Sequence, residues 1–292
     1  VASAELLLTD VKNGLFYQSL NIGNTPVAGE GPVGTMMGPD GRVLYYNPAA
    51  VGRAWTSNDA RFGRNRDFNN VFLIDNTNKG KSQQLTLSLS KPMSADSDWS
   101  WMLGYTYTDA SEVAGLTSST ASSGWGYQYG LNANEEIATG ARYEIRDRFS
   151  GSLNWKHNFF GDYQTSVGLV YEGRSGRPFS YLFVNDANGD SRTANDLFYV
   201  PNGRGDVLFG NLSSAGVFTP DAAMEDAFFQ WLEANPELMA HAGSVAPANG
   251  FRAGWVNTFD LRFSQELPGL FKGHKSELWL DIQNVGNLLN KD

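Results

Sequence analysis

The chain has no cysteine and only three histidines in its 292 residues. Without cysteine, disulfide bonds, thiolate nucleophiles and cysteine-based zinc sites are excluded. Long hydrophobic runs are missing too, since none approaches the roughly 18–20 apolar residues of a transmembrane helix. Basic residues are dispersed, and the net charge is −9. Because nucleic-acid phosphates require clustered lysines and arginines, we expect no nucleic-acid partner.

Catalytic signatures are scarce as well. The sequence has neither an H-E-x-x-H metalloprotease motif nor a G-x-S-x-G nucleophile elbow. Its histidines, His157, His241 and His274, are isolated from one another. His157 falls in a predicted turn beside Trp155 and Phe159, which favours an interfacial side chain over a catalytic base. We therefore predict that the chain is not an enzyme.

What the sequence does contain is alternation with a period of two. In segment 99–107 the odd positions are aromatic or apolar and the even positions are mostly small or polar. Successive side chains of a β-strand point to opposite faces, so the segment predicts a strand with one apolar and one polar side. Similar alternation, with interruptions such as Val170, marks six more segments: 3–9, 84–90, 148–156, 163–172, 258–264 and 277–283. The sequence thus predicts an all-β, antiparallel fold with about seven strands.

The joins between these strands alternate between long and short. The short ones are KPMSADSD (91–98), HNFFGD (157–162) and PGLFKGHK (268–275), and the long ones are about 10–81, 108–147 and 173–254. Sequentially connected antiparallel strands would carry every long join on the same rim. Transmembrane β-barrels have this asymmetry, with short periplasmic turns and long extracellular loops. A soluble β-sandwich is the alternative, although its strands are usually shorter and its loops need no sorting by length.

Aromatic side chains gather near both ends of the predicted strands. Those near the short turns are Trp99, Trp101, Trp155 and Tyr163, and those near the long loops are Tyr105, Tyr107 and Tyr171. Two such girdles are typical of barrels whose aromatic residues lie at the lipid headgroup level. Aromatic cross-strand pairs in a soluble sheet would explain the pairing but not the collection at both ends.

The polar face carries charges in the middle of its strands. We predict that these residues face a barrel lumen or a plug inside it: Arg148, Lys156, Glu172, Asp260, Arg262, Glu277 and Asp281. A small closed barrel would have to bury and pair them all, whereas a wide lumen leaves them hydrated. An odd number of seven strands does not close a usual bacterial barrel, so we expect further strands from a longer chain or from partner chains. The first segment lacks signal-peptide features, and both ends look like interrupted strands, which favours a piece of a longer polypeptide.

The last long join contains a predicted helix. Thr219 and Pro220 suit its N-cap and first position, apolar residues follow at helical spacing, and Asn235–Pro236 ends or kinks it. We interpret it as a helix laid over the barrel mouth or another loop. A helix that contacts a ligand or partner is the alternative.

The stretch NDANGDSRTAND (185–196) is the part of the sequence best suited to bind a cation. Asp186, Asn188 and Asp190 at a spacing of two can turn three oxygens toward one hard cation, and Asn195 and Asp196 can add more. The pattern departs from an EF-hand at position 191, where serine replaces glycine. Such residues are also ordinary turn formers. Two hypotheses therefore stand for this stretch. One is a calcium site formed by Asp186, Asn188, Asp190 and Asp196, and the other is an ordinary turn. We expect no other cofactor.

Several segments together resemble a known family. They are RYEIRDRFSGSLNWKHNFFGDYQTSVGLVYEGRSGRPFSY (142–181), DANGDSRTANDLFYVP (186–201), WVNTFDLRFSQELP (255–268), YTYTDA (105–110) and DIQNVGNLLN (281–290). In this order they resemble the C-terminal barrel region of Oar-like TonB-dependent outer-membrane transporters.

The resemblance implies a Gram-negative outer membrane, a barrel of about 22 strands and a plug in its lumen. It also implies a coupling segment that meets the TonB–ExbB–ExbD machinery, and an unidentified extracellular substrate. Neither plug nor coupling segment is among these residues, so residues 1–292 correspond to part of the barrel domain alone. The function expected is energised passage or binding of a substrate, by import or export. The first alternative is a passive porin or adhesin-like barrel. The second, less favoured one is a secreted β-sandwich binding module.

Overall fold

A computed structural model of the chain describes residues 1–23, 36–38, 40–50, 55–213 and 215–289. Residues 24–35, 39, 51–54 and 214 in the long joins lie outside this description. So do residues 290–292, which include the last position of the segment 281–290.

The main sheet consists of seven long strands that follow one another in sequence order and pair antiparallel. Their bounds are Ala2–Asp10 (β1), Lys81–Lys91 (β2), Trp99–Glu112 (β3), Asp147–Phe160 (β4), Tyr163–Arg174 (β5), Val256–Pro268 (β6) and Lys275–Ile282 (β7). A two-residue strand, Thr139–Gly140, pairs with the end of β3. All seven predicted strands are therefore confirmed, and so is the alternation of long and short joins.

The register of the sheet keeps apolar and polar side chains on separate faces. Directly paired residues of neighbouring strands share a face. One row across β3 to β7 is apolar throughout: Trp101, Leu153, Leu169, Leu261 and Ile282. The adjacent row is small, polar or charged: Ser100, Asn154, Gly168, Arg262 and Asp281. We call these two sides the apolar face and the polar face.

The second short turn is tighter than the sequence indicates. Residues 157–160, placed in a turn by the sequence, continue β4, and the turn itself is only Gly161 and Asp162. Gly161 has a φ of +64°, a left-handed conformation that glycine adopts without penalty. The prediction that His157 lies in a turn is thus wrong. It lies in β4, with Nδ1 2.8 Å from Asp98 Oδ2.

The sheet is open at both edges. Within the described residues no strand pairs with the outer side of β1 or of β7. The described strands therefore form a continuous antiparallel sheet but do not close a barrel. No helix in the described part of the chain is long and apolar enough to cross a bilayer.

The long joins fold into short two-stranded sheets and helices. Two of these sheets are hairpins, Met36–Met37 with Val43–Leu44 and Gly210–Leu212 with Phe218–Pro220. The other three pair segments that are distant in sequence: Gly14–Ser19 with Phe72–Thr77, Pro178–Phe179 with Phe251–Arg252, and Tyr199–Val200 with Ser244–Val245. The α-helices are Ala121–Gly126 (α1), Ala222–Glu233 (α2), Pro236–Met239 (α3) and Gly286–Leu289 (α4), and Pro48–Ala50 is a 3-10 helix. The joins are thus folded parts of the molecule.

Helix α2 is the helix that the sequence predicts, but it begins later. Thr219 pairs with Asn211 in a hairpin, so it does not cap the helix. Asp221 is the N-cap instead, and its side chain accepts a hydrogen bond from the Met224 backbone N–H at 3.0 Å. The expected N-cap at Thr219 is therefore wrong, because hairpin pairing occupies that residue. Pro236 starts α3 as expected for a break after α2.

Among the described residues, the buried hydrophobic clusters lie in the joins and not under the sheet. One buried cluster is formed by Val200, Leu232, Leu238, Ala246 and Phe251. A second is formed by Tyr17, Ile22, Tyr45 and Trp125. The first cluster lies within the last long join and fixes its own segments, whereas the second packs Trp125 of the middle join against residues of the first join.

Leu238 and Met239 provide a matched test of the first cluster. Leu238 is fully buried, whereas the adjacent Met239 is exposed. We expect Leu238→Ala to lower the free energy of local opening by about 2–5 kcal/mol, the usual loss for a buried leucine. Hydrogen exchange of the α2 amides measures this loss. Met239→Ala should leave exchange almost unchanged, and equal effects of the two substitutions would contradict the assignment of this core.

Candidate functional site

The acidic stretch forms a compact loop around the side chain of Asp186. Its carboxylate accepts hydrogen bonds from the backbone N–H groups of Gly189 (2.6 Å), Asp190 (3.1 Å) and Ser191 (2.9 Å). Gly189 and Ser191 have φ angles of +83° and +68°. Serine thus adopts the left-handed conformation for which an EF-hand loop uses glycine. The departure noted in the sequence does not prevent a tight loop.

Asp190 lies in a buried group of polar side chains. One carboxylate oxygen accepts hydrogen bonds from the side-chain amides of Asn195 (3.0 Å) and Asn188 (3.3 Å). The other accepts the backbone N–H of Arg192 at 2.7 Å. The structure therefore brings together the acidic and amide residues that the sequence groups.

Asp196 fastens this loop to the first long join. Its Oδ1 lies 3.5 Å from Nη1 of Arg42, and the same guanidinium contacts Asp40 at 2.6 Å. Arg42 Nη2 also donates to the carbonyl oxygen of Leu197 at 2.6 Å. The Tyr45 N–H donates to the carbonyl of Asn188 at 2.7 Å. A salt bridge and backbone bonds thus hold the two joins together, which the sequence alone does not reveal.

Burial changes the ionisation of these carboxyl groups. Removal from water raises the pKa of Asp186 to about 6, and it raises the pKa of Asp190 to about 7 with help from the charges of Asp186 and Asp196. Burial also raises the pKa of Asp196, against the opposing effects of the hydrogen bond from the Ala187 N–H and of the charge of Arg42. The nearby Tyr45 phenol is buried, and its pKa rises to about 12. The loop therefore holds negative charge at a cost in free energy.

Carboxylates alone do not form a closed metal cage here. In the described part of the chain, no group of three or more histidine, aspartate or glutamate side chains is arranged to hold a metal ion. The proposed set Asp186, Asn188, Asp190 and Asp196 is together in space, but its oxygens mostly accept hydrogen bonds from the loop itself. Calcium at this set stays a hypothesis.

A cavity of about 710 Å³ lies at the long-loop end of the sheet. One wall is the end of β3 with Thr139–Gly140, and the opposite wall is segment 245–250. Its lining is mainly apolar, with two basic residues, Arg146 and Arg252, and two acidic ones, Asp109 and Glu135. Its volume lies within the range of small-ligand sites.

Glu144 holds the two arginines of this cavity in place. Its carboxylate accepts a hydrogen bond from Arg252 and one from the Ala110 backbone N–H at 2.6 Å, and it lies 3.5 Å from Arg146 Nε. The Glu144 side chain is almost fully buried. Sequence reasoning missed this group because Glu144 and Arg252 are far apart in the chain and match no local motif.

The predicted lumen-facing residues all lie on the polar face of the sheet. Two ion pairs form among them. Arg148 contacts Glu172, and Arg262 donates hydrogen bonds to both carboxylate oxygens of Asp281 at 2.5 and 2.6 Å. The remaining members are placed as follows: Asp260 accepts the backbone N–H of Asn284 at 2.7 Å, Lys156 is exposed, and Glu277 is exposed opposite Glu266 in the register.

Four of the seven predicted girdle aromatics form cross-strand ring contacts on the apolar face. Trp99 and Trp155 are 6.1 Å apart between ring centroids, and Trp101 is paired with Leu153. Toward the long loops, Tyr105 packs on Phe149 and Tyr171 on Phe259, both at 4.7 Å.

Tyr107 and Tyr163, like Trp101, lie apart from these ring pairs. Tyr107 is paired in register with Leu85 and Asp147. Tyr163 precedes a register shift in β5, and its ring centroid lies 5.8 Å from the ammonium of Lys275.

Comparison with known proteins identifies no relative, since no family model, no curated protein and no solved structure matches the chain.

Glu144→Gln tests the arginine cavity. The substitution keeps the size of the side chain but removes the charge that both guanidinium groups share. We expect a loss of about 1.5–3 kcal/mol in local stability, the usual contribution of hydrogen bonds to a charged group. Faster hydrogen exchange of the Ala110 amide would report it. Glu237→Gln, at an exposed glutamate of α3, is the control, and indistinguishable exchange in the two variants would contradict the role of Glu144.

Proposed function

We propose that this chain is part of the β-barrel of an Oar-like TonB-dependent transporter in a Gram-negative outer membrane. The observation that carries the proposal is a seven-stranded sheet whose apolar face is exposed and whose opposite face is charged. The resemblance of segments 142–181, 186–201 and 255–268 to that family supports it. The proposed work is energised passage of a substrate without covalent chemistry.

The apolar face needs a partner that is itself apolar. Leu87, Leu103 and Leu280 are 42%, 57% and 58% exposed, although they lie in the middle of paired strands. Similar exposure occurs on six of the seven strands, including Leu6, Leu153 and Phe263, whereas the apolar-face side chains of β5 are half-buried. Soluble monomers rarely expose a continuous apolar surface of this kind. Lipid chains would cover it, and the ring pairs near both strand ends suit the two headgroup levels.

The polar face suits a wide aqueous lumen. Its ion pairs are open to water, since the Arg262 side chain is 63% exposed and the Arg148 side chain 51%. A shallow groove of about 350 Å³ lies beside Arg262, Asp260 and Asp281. Charges that stay hydrated can line a channel or contact the polar surface of a plug without a large desolvation penalty.

The open edges of β1 and β7 require pairing in a bilayer. Unpaired N–H and C=O groups in hydrocarbon cost several kcal/mol each. Under the proposal, further strands of the same polypeptide or of a companion chain complete a barrel of about 22 strands. Its other partners are outer-membrane lipid, the plug and, through a coupling segment, the TonB–ExbB–ExbD machinery.

The folded joins would lie outside the cell, on the rim opposite the short turns. They contain the arginine-bearing cavity of about 710 Å³, which suits capture of a small ligand or part of a larger one. The extracellular substrate itself stays unidentified.

Adjacent residues on opposite faces test the membrane assignment. We expect Leu87→Arg to destabilise the protein reconstituted in lipid vesicles by about 2–4 kcal/mol, because the charge would enter hydrocarbon. Ser88→Arg places the same side chain on the polar face and should cost much less. Denaturant titration of both variants measures the difference. A chain that stays folded and monomeric without detergent would contradict the assignment and favour a soluble sandwich.

The Arg262–Asp281 pair tests whether the polar face is wet. In a hydrated lumen we expect a coupling free energy below about 1 kcal/mol, because water screens exposed ion pairs. A double-mutant cycle with Arg262→Met and Asp281→Asn measures it. In a dry, two-layered core, breaking one partner would cost about 3–5 kcal/mol instead, and that result would contradict an aqueous lumen.

The gene around this segment separates the transporter from a passive barrel. We expect the complete reading frame to encode a plug and a coupling segment before residue 1. A signal peptide directly before Val1 would contradict energised transport and favour a porin or adhesin-like barrel.

A further inference from the structure

A second, much smaller cavity lies between the acidic loop and segment 125–135. Its volume is about 10 Å³, room for a single water-sized sphere. Side chains of Asn188, Asn195 and Asp196 line one side, and Glu135 and Trp125 line the other. The lining is mostly polar, so a single small polar occupant fits this space.

Asn195 brings an unpartnered oxygen to this cavity. The residue is 8% exposed, and its Oδ1 has no hydrogen-bond partner among the described residues. Its Nδ2 is bonded to Asp190 at 3.0 Å. A buried acceptor without a donor costs about 1–3 kcal/mol, and such groups in native proteins usually bind a water or an ion. Trp125 and Gln128, which face it across the cavity, already donate to Asn134 and to Tyr17.

The charge around the cavity is negative. In the described part of the chain, neither Asp190 nor Glu135 has an ion pair. Arg42 is divided between Asp40 and Asp196, and Arg61 acts on Asp190 through its charge without forming an ion pair with it. Glu135 accepts hydrogen bonds from the N–H groups of Leu131 and Asn132, both at 3.1 Å, but these leave its negative charge in place. A cation would compensate this charge, whereas a water would not.

We propose that one divalent cation of the calcium type occupies this cavity, bound by Asn195 Oδ1 and by the carboxylates of Asp196 and Glu135. Hard cations prefer carboxylate and amide oxygens. Calcium suits the site better than magnesium, because calcium accepts irregular oxygen shells and magnesium demands a near-octahedral one. Asp186 then shapes the loop, and Asp190 orients the amide of Asn195. The cation would bind segment 125–135 to the acidic loop.

Titration calorimetry of the purified chain in detergent with calcium alone tests the proposal. We expect saturable binding with a dissociation constant of about 10⁻⁴–10⁻³ M, as in extracellular calcium modules. Terbium supplies a second readout, because Trp125 lines the cavity and can sensitise its luminescence. Calcium should displace terbium. The absence of heat and of sensitised luminescence would overturn the proposal and leave a water as the occupant.

Substitutions at Asn195 locate the site. Asn195→Ala should weaken calcium binding at least tenfold, whereas Asn211→Ala, at an exposed asparagine in a hairpin, should not change it. Asn195→Asp keeps an oxygen and adds charge, so it should bind at least as tightly as the unaltered chain. This variant keeps the test valid if Asn195→Ala fails to fold. Equal binding by Asn195→Ala and Asn211→Ala, or loss of binding in Asn195→Asp, would contradict the proposed ligands.

Discussion

The hydrogen-bonded ladder of the main sheet is the constraint on which the rest of the structure depends. Because side chains alternate along a strand, one register places most leucines and aromatic rings on one face and the mid-strand charges on the other, with Leu7 and Trp279 as exceptions on the polar face. A slip of one residue in any strand would exchange the two. The pairing runs without a shift from β1 to β4, and the irregularity between Tyr163 and Thr165 lies beside a short turn. The middle of the sheet therefore keeps its two faces distinct across all seven strands.

The sheet itself buries few apolar side chains, so the long joins supply their own cores. Val200 and Leu238 anchor one cluster, and Tyr45 and Trp125 another. Ion pairs connect the joins outside these clusters: Arg42 pairs with Asp196, and Glu144 pairs with Arg252. Folded joins of this kind hold their shape without support from the apolar face, which leaves that face free for another partner.

The strands were predictable from sequence because their signal is local. Alternation over ten residues is set by the pleat of one strand and needs no knowledge of its neighbours. The order of the strands followed from the short turns. The ends of elements do not follow from local periodicity, because pairing with another strand keeps Thr219 from capping α2 and extends β4 through His157. The acidic loop was recognised from its spacing, but Arg42, Glu135 and Glu144 were not placed near any site. Their partners lie in other joins, and no periodicity connects them.

The membrane proposal depends on how the two faces differ in their need for water. If a second protein layer covered the apolar face, Leu103 and Leu280 would be buried against it, yet no described element of the chain covers them. If the polar face were the buried one, Arg148 and Arg262 would have to lose their hydration, which an ion pair seldom repays. A cylinder with hydrocarbon outside and water inside satisfies both faces without rearranging the sheet. In such a cylinder the unpaired edges of β1 and β7 would pair with further strands, because a closed barrel needs strands on both sides of this segment.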